Sequence, residues 1–167
     1  QLFNKMTVYE NLYAGYAFEY QKSFASIFTG GQKPFVAEAQ ERITTVAETM
    51  GITSVLANIP ENLSYGMQKR VEIARAIISE PEMLLLDEPA AGLTYQETEE
   101  LDAVLADLRD NRGITMLLVE HDMDIVMKIS DRISVMSFGK KIAEGAPSEI
   151  ANDPEVIRVY LGEGSGA

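Results

Sequence analysis

Two adjacent carboxylates close a short apolar run in "EMLLLDEP", residues 82–89. If Met83 to Leu86 form a strand inside a sheet, Asp87 and Glu88 emerge at its rigidly held end. Beside a bound phosphate, the first carboxylate can hold Mg²⁺ directly or through water, because that ion takes oxygen ligands and keeps several waters. The second can orient and deprotonate an attacking water. The same pair also suits a plain solvated acidic turn. His121 closes a second apolar run, "TMLLVEH" at 115–121, and is flanked by Glu120 and Asp122. A lone histidine is more often structural. One at the same sheet edge as Asp87 and Glu88 could reach a terminal phosphate and help place the water. A third candidate is "LSYGMQ" at 63–68, just ahead of a helical stretch. A small hydroxyl, a glycine and the unpaired amides of a helix start make an anion site. They also make an ordinary N-capped helix.

The elements that must position these residues follow from periodicity. Residues 6–22 read as a helix, with Thr7 as N-cap and Glu10 three residues on as a capping box. "SFASIFTGGQKP" at 23–34 reads as a loop. Val36, Ala39, Ile43, Val46 and Met50 recur at helical spacing over 35–50, and Gly51 is a good terminator. A short helix and a loop with Pro60 come next. A third helix spans 66–79, with Val71, Ala74, Ile77 and Ile78 on one face. Residues 82–89 read as a strand buried on both faces, as in a parallel sheet. A helix over 95–109 carries Leu101, Val104, Leu105 and Leu108. Residues 115–121 are a second buried strand, 122–130 a helix and 132–138 a third strand. "GKKIAEG" at 139–145 reads as a turn and hairpin partner, and 148–162 as a terminal helical segment.

The fold class is therefore α/β. Residues 1–79 form a mostly helical zone and 80–145 alternate strand and helix with right-handed parallel crossovers. Residues 146–167 are a C-terminal helical segment and tail. Ligands of open parallel sheets bind beyond the carboxyl ends of the strands, where Asp87, Glu88 and His121 fall.

Composition narrows the chemistry. The 167 residues are 46% hydrophobic and 24% charged, an ordinary globular balance with room for a core. A net charge of −12 argues against nucleic-acid partners and against docking on anionic lipid by charge alone. With no cysteine and one histidine, disulfides, zinc–thiolate sites, thiol nucleophiles and multi-histidine metal sites are excluded. No apolar run approaches a membrane span, and there is no signal-peptide pattern.

Taken in order, "LSYGMQKRVEIARA", "MLLLDEP", "AAGL" and "LLVEHD" resemble the signature, Walker B strand, D-loop and switch histidine of ABC-transporter ATPase subunits. "LFNKMTVYENL", "PAAGL" and "GKKIAEGAPSEIANDPEVIRVYLGE" resemble the ATP-binding subunits of branched-chain amino acid importers. The resemblance covers essentially the whole chain and implies a partial P-loop NTPase core with parallel strands plus a helical subdomain. It implies that Asp87 is the Mg²⁺-associated aspartate, Glu88 the general base and His121 the γ-phosphate switch. Ser64, Gly66 and Gln68 become signature residues that close over ATP held by a second subunit, and residues 90–93 the D-loop between subunits. Implied partners are that second ATPase subunit in a head-to-tail dimer, membrane-embedded permease subunits and, indirectly, a substrate-binding protein. The implied location is the cytoplasmic face of the membrane.

Some residues depart from the pattern. Tyr65 stands at the signature's first glycine, Met67 at its glutamine, and Thr94 where many D-loops have aspartate. No G-x-x-x-x-G-K-[ST] occurs: "GGQK" at 30–33 and "GK" at 139–140 lack the framing residues. The expectation is that about the first third of such a subunit is absent and that this chain alone hydrolyses no ATP. Rival readings are an ABC ATPase of DNA repair or translation, and an inactive interaction module of the same fold. Phe24, Phe28 and Phe35 read as local core or as a surface tuning contact with the permease.

Overall fold

The computed structural model describes residues 2–20 and 32–161. They form two compact units, Gln1–Leu117 and Leu118–Ala167. The expected loop at 23–31, with Phe24 and Phe28, lies outside the described residues, as does the side chain of Phe35.

In the first unit, helix α1 (Val8–Tyr20) starts where the capping box predicts. Thr7 Oγ1 accepts the Glu10 N–H at 3.2 Å, and Glu10 Oε2 accepts the Thr7 N–H at 2.7 Å. Asn11 is fully buried and ties the preceding segment to the helix. Its Oδ1 accepts the Phe3 N–H at 2.8 Å, and its amide donates to the carbonyls of Phe3, Met6 and Thr7. Helix α2 (Gln32–Thr49) begins ahead of the expected start. Pro34 sits in its first turn, where a missing N–H costs nothing, so residues 32–34 open the helix instead of ending a loop. Ala39, Ile43, Val46 and Met50 are buried as expected, whereas Val36 is half exposed. Short 3₁₀ turns at Thr53–Val55 and Pro60–Asn62 lead to α3 (Tyr65–Ile77), which buries Val71, Ala74 and Ile77 against α1. The two helices meet at Gly15, where an added Cβ would lie 2.7 Å from the Arg75 carbonyl oxygen and 3.1 Å from Ile78 Cγ2.

Strand β1 (Met83–Asp87) and strand β2 (Thr115–Val119) pair in a parallel two-stranded sheet, joined through α4 (Tyr95–Asp110). Neither strand is buried on both faces. Leu84 and Leu86 are covered, but Leu85 is 68% exposed and Leu117 54%. The apolar run reads as doubly buried because periodicity reports which side chains avoid water, not what covers them; here the described residues cover alternate side chains only. Leu101, Leu105 and Leu108 of α4 are buried.

In the second unit, α5 (Met123–Ile129) leads into β3 (Ile133–Ser137), which pairs antiparallel with β4 (Lys140–Gly145). The described strands thus form two two-stranded sheets and not one run of three parallel strands, since a crossover need not set consecutive strands side by side. Phe138 and Gly139 take φ of 45° and 74°, the two-residue turn whose twist matches flanking strands. Ile133, Val135, Ile150 and Val156 form the core, closed by the short helices α6 (Pro147–Ile150) and α7 (Pro154–Val156).

Candidate functional site

Ser64 is the N-cap of α3, its Oγ accepting the Met67 N–H at 3.3 Å. The Gln68 side-chain amide turns back to donate to the Leu63 carbonyl at 3.0 Å. Gly66 is buried in the first turn, and an added Cβ would lie 2.4 Å from Glu97 Oε1. A side chain at this position would have to displace the Glu97 carboxylate. Tyr65, one of the departures from the common pattern, is half exposed; its ring lies beside Gly92 and under the Lys69 ammonium, 5.5 Å from the ring centre.

At the end of β1, Asp87 and Glu88 are both exposed. Glu88 has φ of 44°, a left-handed conformation that costs a non-glycine residue of order 1–3 kcal/mol. The chain then folds through two tight turns, with the Ala91 N–H on the Glu88 carbonyl at 3.2 Å and the Leu93 N–H on the Ala90 carbonyl at 3.1 Å. The turns deliver Thr94 as N-cap of α4. Its Oγ1 accepts the Glu97 N–H at 3.3 Å, while Glu97 Oε2 accepts the Thr94 N–H at 3.0 Å and the Thr94 hydroxyl at 2.9 Å. The Thr94 N–H, then its hydroxyl, hold the Glu97 carboxyl below the usual range, and the Ser64 hydroxyl and the Arg70 charge add to this. Arg70 pairs with Glu100 of α4 and donates to the Met50 carbonyl at 3.3 Å.

The first unit therefore brings together Ser64, Gly66 and the loop that follows Asp87 and Glu88. His121 belongs to the second unit, beyond the end of β2, with its imidazole 71% exposed. Its N–H donates to Glu120 Oε2 at 3.1 Å, and Nδ1 lies 3.8 Å from the same oxygen. Asp122 caps α5 by accepting the Asp124 N–H at 3.0 Å. Sequence reasoning missed Glu97. The signal was present as T-x-x-E at 94–97, the same capping pattern used to place α1.

Among the described residues no three His, Cys, Asp or Glu side chains cluster as a metal cage. Asp87 fits a different arrangement, since Mg²⁺ in nucleotide sites takes one or two carboxylates and completes its shell with phosphate oxygens and waters.

Residues 1–91 match the family model "ABC transporter". The chain belongs to the ABC transporter family. Residues 140–165 match a second family model, "Branched-chain amino acid ATP-binding cassette transporter". The chain is 46% identical over 168 aligned residues to the high-affinity branched-chain amino acid transport ATP-binding protein LivG of Salmonella typhimurium. That alignment covers 98% of this chain and 65% of the relative, so the chain spans a little under two thirds of that protein's length. Among solved structures, the ATP-binding cassette MJ1267 of an ABC transporter superposes with a TM-score of 0.75 at 30% identity, over 95% of this chain and 64% of the other. CbiO1 from Clostridium perfringens, part of the ABC transporter complex cbiONQ, superposes with a TM-score of 0.73 at 32% identity, over 95% and 57%. This family membership fixes the α/β, ATP-binding-cassette fold anticipated from the four motifs.

Proposed function

We propose that this chain forms the signature-bearing part of the ATP-hydrolysing subunit of an ABC importer for branched-chain amino acids. The observation that carries the reading is the joining of the Ser64–Gly66 turn to the loop behind Asp87 and Glu88 through Glu97 and Gly92. In a head-to-tail dimer the turn meets the nucleotide held by the second subunit and the carboxylate serves the chain's own nucleotide, so a link between them lets closure at one site be felt at the other. The name of the Salmonella typhimurium relative and the match at 140–165 support the solute class.

When bound, ATP with Mg²⁺ supplies the phosphoanhydride and a charge-neutralising cation. Asp87 would hold the cation through one carboxylate oxygen or a water. Glu88 orients the attacking water and takes its proton, a role worth about 10²–10⁴ in rate. Ser64 and the first-turn amides of α3 donate to the terminal phosphate; a well-placed donor of this kind contributes about 3 kcal/mol. Gln68 closes the turn behind them through Leu63. His121 would donate to the terminal phosphate of the nucleotide that its own subunit holds. The signature serves nucleotide held by a second subunit, so the working unit is a head-to-tail dimer. That dimer would dock on membrane-embedded permease subunits at the cytoplasmic face and serve a substrate-binding protein indirectly. No helix among the described residues is long and apolar enough to cross a membrane.

The test uses the complete subunit that contains this chain. Glu88→Gln should abolish turnover and trap an ATP-dependent dimer, visible by light scattering. A Glu88→Gln dimer that forms equally without ATP, or turnover that survives the change, removes Glu88 as the base. A net charge of −12 argues against the competing reading as a nucleic-acid ATPase.

A further inference from the structure

The last carbonyls of a helix lack partners within it, and the negative end of its dipole favours a cation there. Helix α2 carries no basic residue in its last turn. The cation comes from α3 instead. Arg70 Nη1 donates to the Met50 carbonyl at 3.3 Å, and Nη2 pairs with Glu100 Oε2 on α4. A guanidinium holds its donors in one rigid plane, so this single group ties the end of α2, α3 and α4 together. Gly51 turns the chain away with φ of 65° and leaves room for it; an added Cβ would lie 3.1 Å from Nη1. Glu100 is held from its other oxygen, which accepts the Gln96 side-chain amide at 3.2 Å. Ion pairs in open solvent are worth little, but the Arg70 side chain is only 14% exposed. Its place in the chain matters most. Arg70 lies four residues, about one helical turn, beyond Gly66. Glu100 lies six residues beyond Thr94, the cap that ends the loop from Glu88.

We propose that Arg70 is a positioning residue whose guanidinium fixes the signature turn to the helix that issues from the Asp87–Glu88 loop. A displacement of the turn on meeting the second subunit's nucleotide then moves α4 and, through Thr94, the loop that carries Glu88. The contact of Ser64 with phosphate does not need this tie, whereas the placement of Glu88 over the chain's own nucleotide does. Cutting the tie therefore spares closure over nucleotide and impairs hydrolysis. The inference rests on the proposed function; the three-helix tie itself does not.

Two measurements separate these parts. In the 167-residue chain, Arg70→Gln and Glu100→Gln should each lower the urea midpoint, and the double variant should lose clearly less than the two separate losses combined. Fully additive losses overturn the tie, whatever the chain does with ATP. In the complete subunit, each single change should lower kcat about ten-fold, the low end for one hydrogen bond to a charged group, with KM for ATP moved by less than about two-fold. ATP-dependent dimerisation in a Glu88→Gln background should survive Arg70→Gln. The double variant should be no slower than Arg70→Gln alone. Arg112→Gln is the control, because Arg112 donates to the Thr49 hydroxyl at the same helix end and pairs with Asp107 at 3.8 Å, partners that both lie outside α3. It should leave kcat unchanged. An equal loss of kcat in Arg112→Gln, losses that multiply in the double variant, or a KM that rises in step with the fall in kcat refutes the positioning role. Coupled losses in urea with no ATP turnover by the unaltered subunit overturn the proposed function, and the positioning role with it, and leave the tie standing.

Discussion

Gly15 offers a test in which two ordinary expectations point in opposite directions. It lies inside α1, and glycine within a helix is about 0.8–1 kcal/mol worse than alanine. Propensity alone therefore predicts that Gly15→Ala stabilises the chain by about 1 kcal/mol. The packing says otherwise. The new Cβ would sit 2.7 Å from the Arg75 carbonyl oxygen, 2.8 Å from Arg75 Cγ and 3.1 Å from Ile78 Cγ2. The carbonyl belongs to the backbone of α3 and cannot rotate away. Relief requires α1 to back off by several tenths of an ångström, loosening buried Leu12 and Tyr16 on one helix and Val71, Ala74 and Ile78 on the other. Overpacking of this kind costs about 1–3 kcal/mol, so the net result is a loss of about 0–2 kcal/mol. Urea unfolding of the chain followed by far-UV circular dichroism measures it directly. A midpoint that rises by the equivalent of about 1 kcal/mol would show that α1 and α3 are not in close contact at Gly15 and would refute the packing.

Asn11→Ala should be costlier, about 2–4 kcal/mol, because it strands the Phe3 N–H and the Met6 carbonyl that the buried amide now serves, while the Phe3 and Thr7 carbonyls keep the backbone N–H groups of Met6 and Asn11; the same urea series reports it, and a loss under 1 kcal/mol would mean water replaces the side chain freely. Acid titration of stability should be flat near neutrality and fall below about pH 4.5. Glu10, Glu97 and Glu144 all have pKa values lowered from 4.5 in the folded chain, by the Thr7 N–H, the Thr94 N–H and the Lys141 ammonium in first place. The unfolded state thus binds protons first as pH drops, so their stabilisation is fully present above the unfolded pKa and is lost as pH falls through the folded one. Stability that rises on acidification through this range would contradict those bonds.

The helices were legible where a cap and a periodic face coincide. Thr7 with Glu10 fixed the start of α1, and Val71, Ala74 and Ile77 marked the inward face of α3. Pro34 was misread because proline stops a helix from inside but is harmless in a first turn. The doubly buried strands were misread because an apolar run carries no record of which face lacks a cover, as Leu85 and Leu117 show. Asp87, Glu88 and Ser64 announced themselves by residue type at the end of a run or the start of a helix. The T-x-x-E pattern at 94–97 marks Glu97 as a cap of α4, but nothing local in the sequence encodes its approach to Gly66.

Glu88 carries a consequence for engineering. Its backbone sits in the left-handed region, where asparagine or glycine rests more easily than glutamate. A library screened for thermal stability alone should therefore enrich Glu88→Asn and Glu88→Gly, relieving the backbone while discarding the carboxylate. With Glu88 as the proposed base, stability and turnover of the complete subunit would pull against each other at this one position, and a selection for turnover would keep a residue that a selection for robustness would remove.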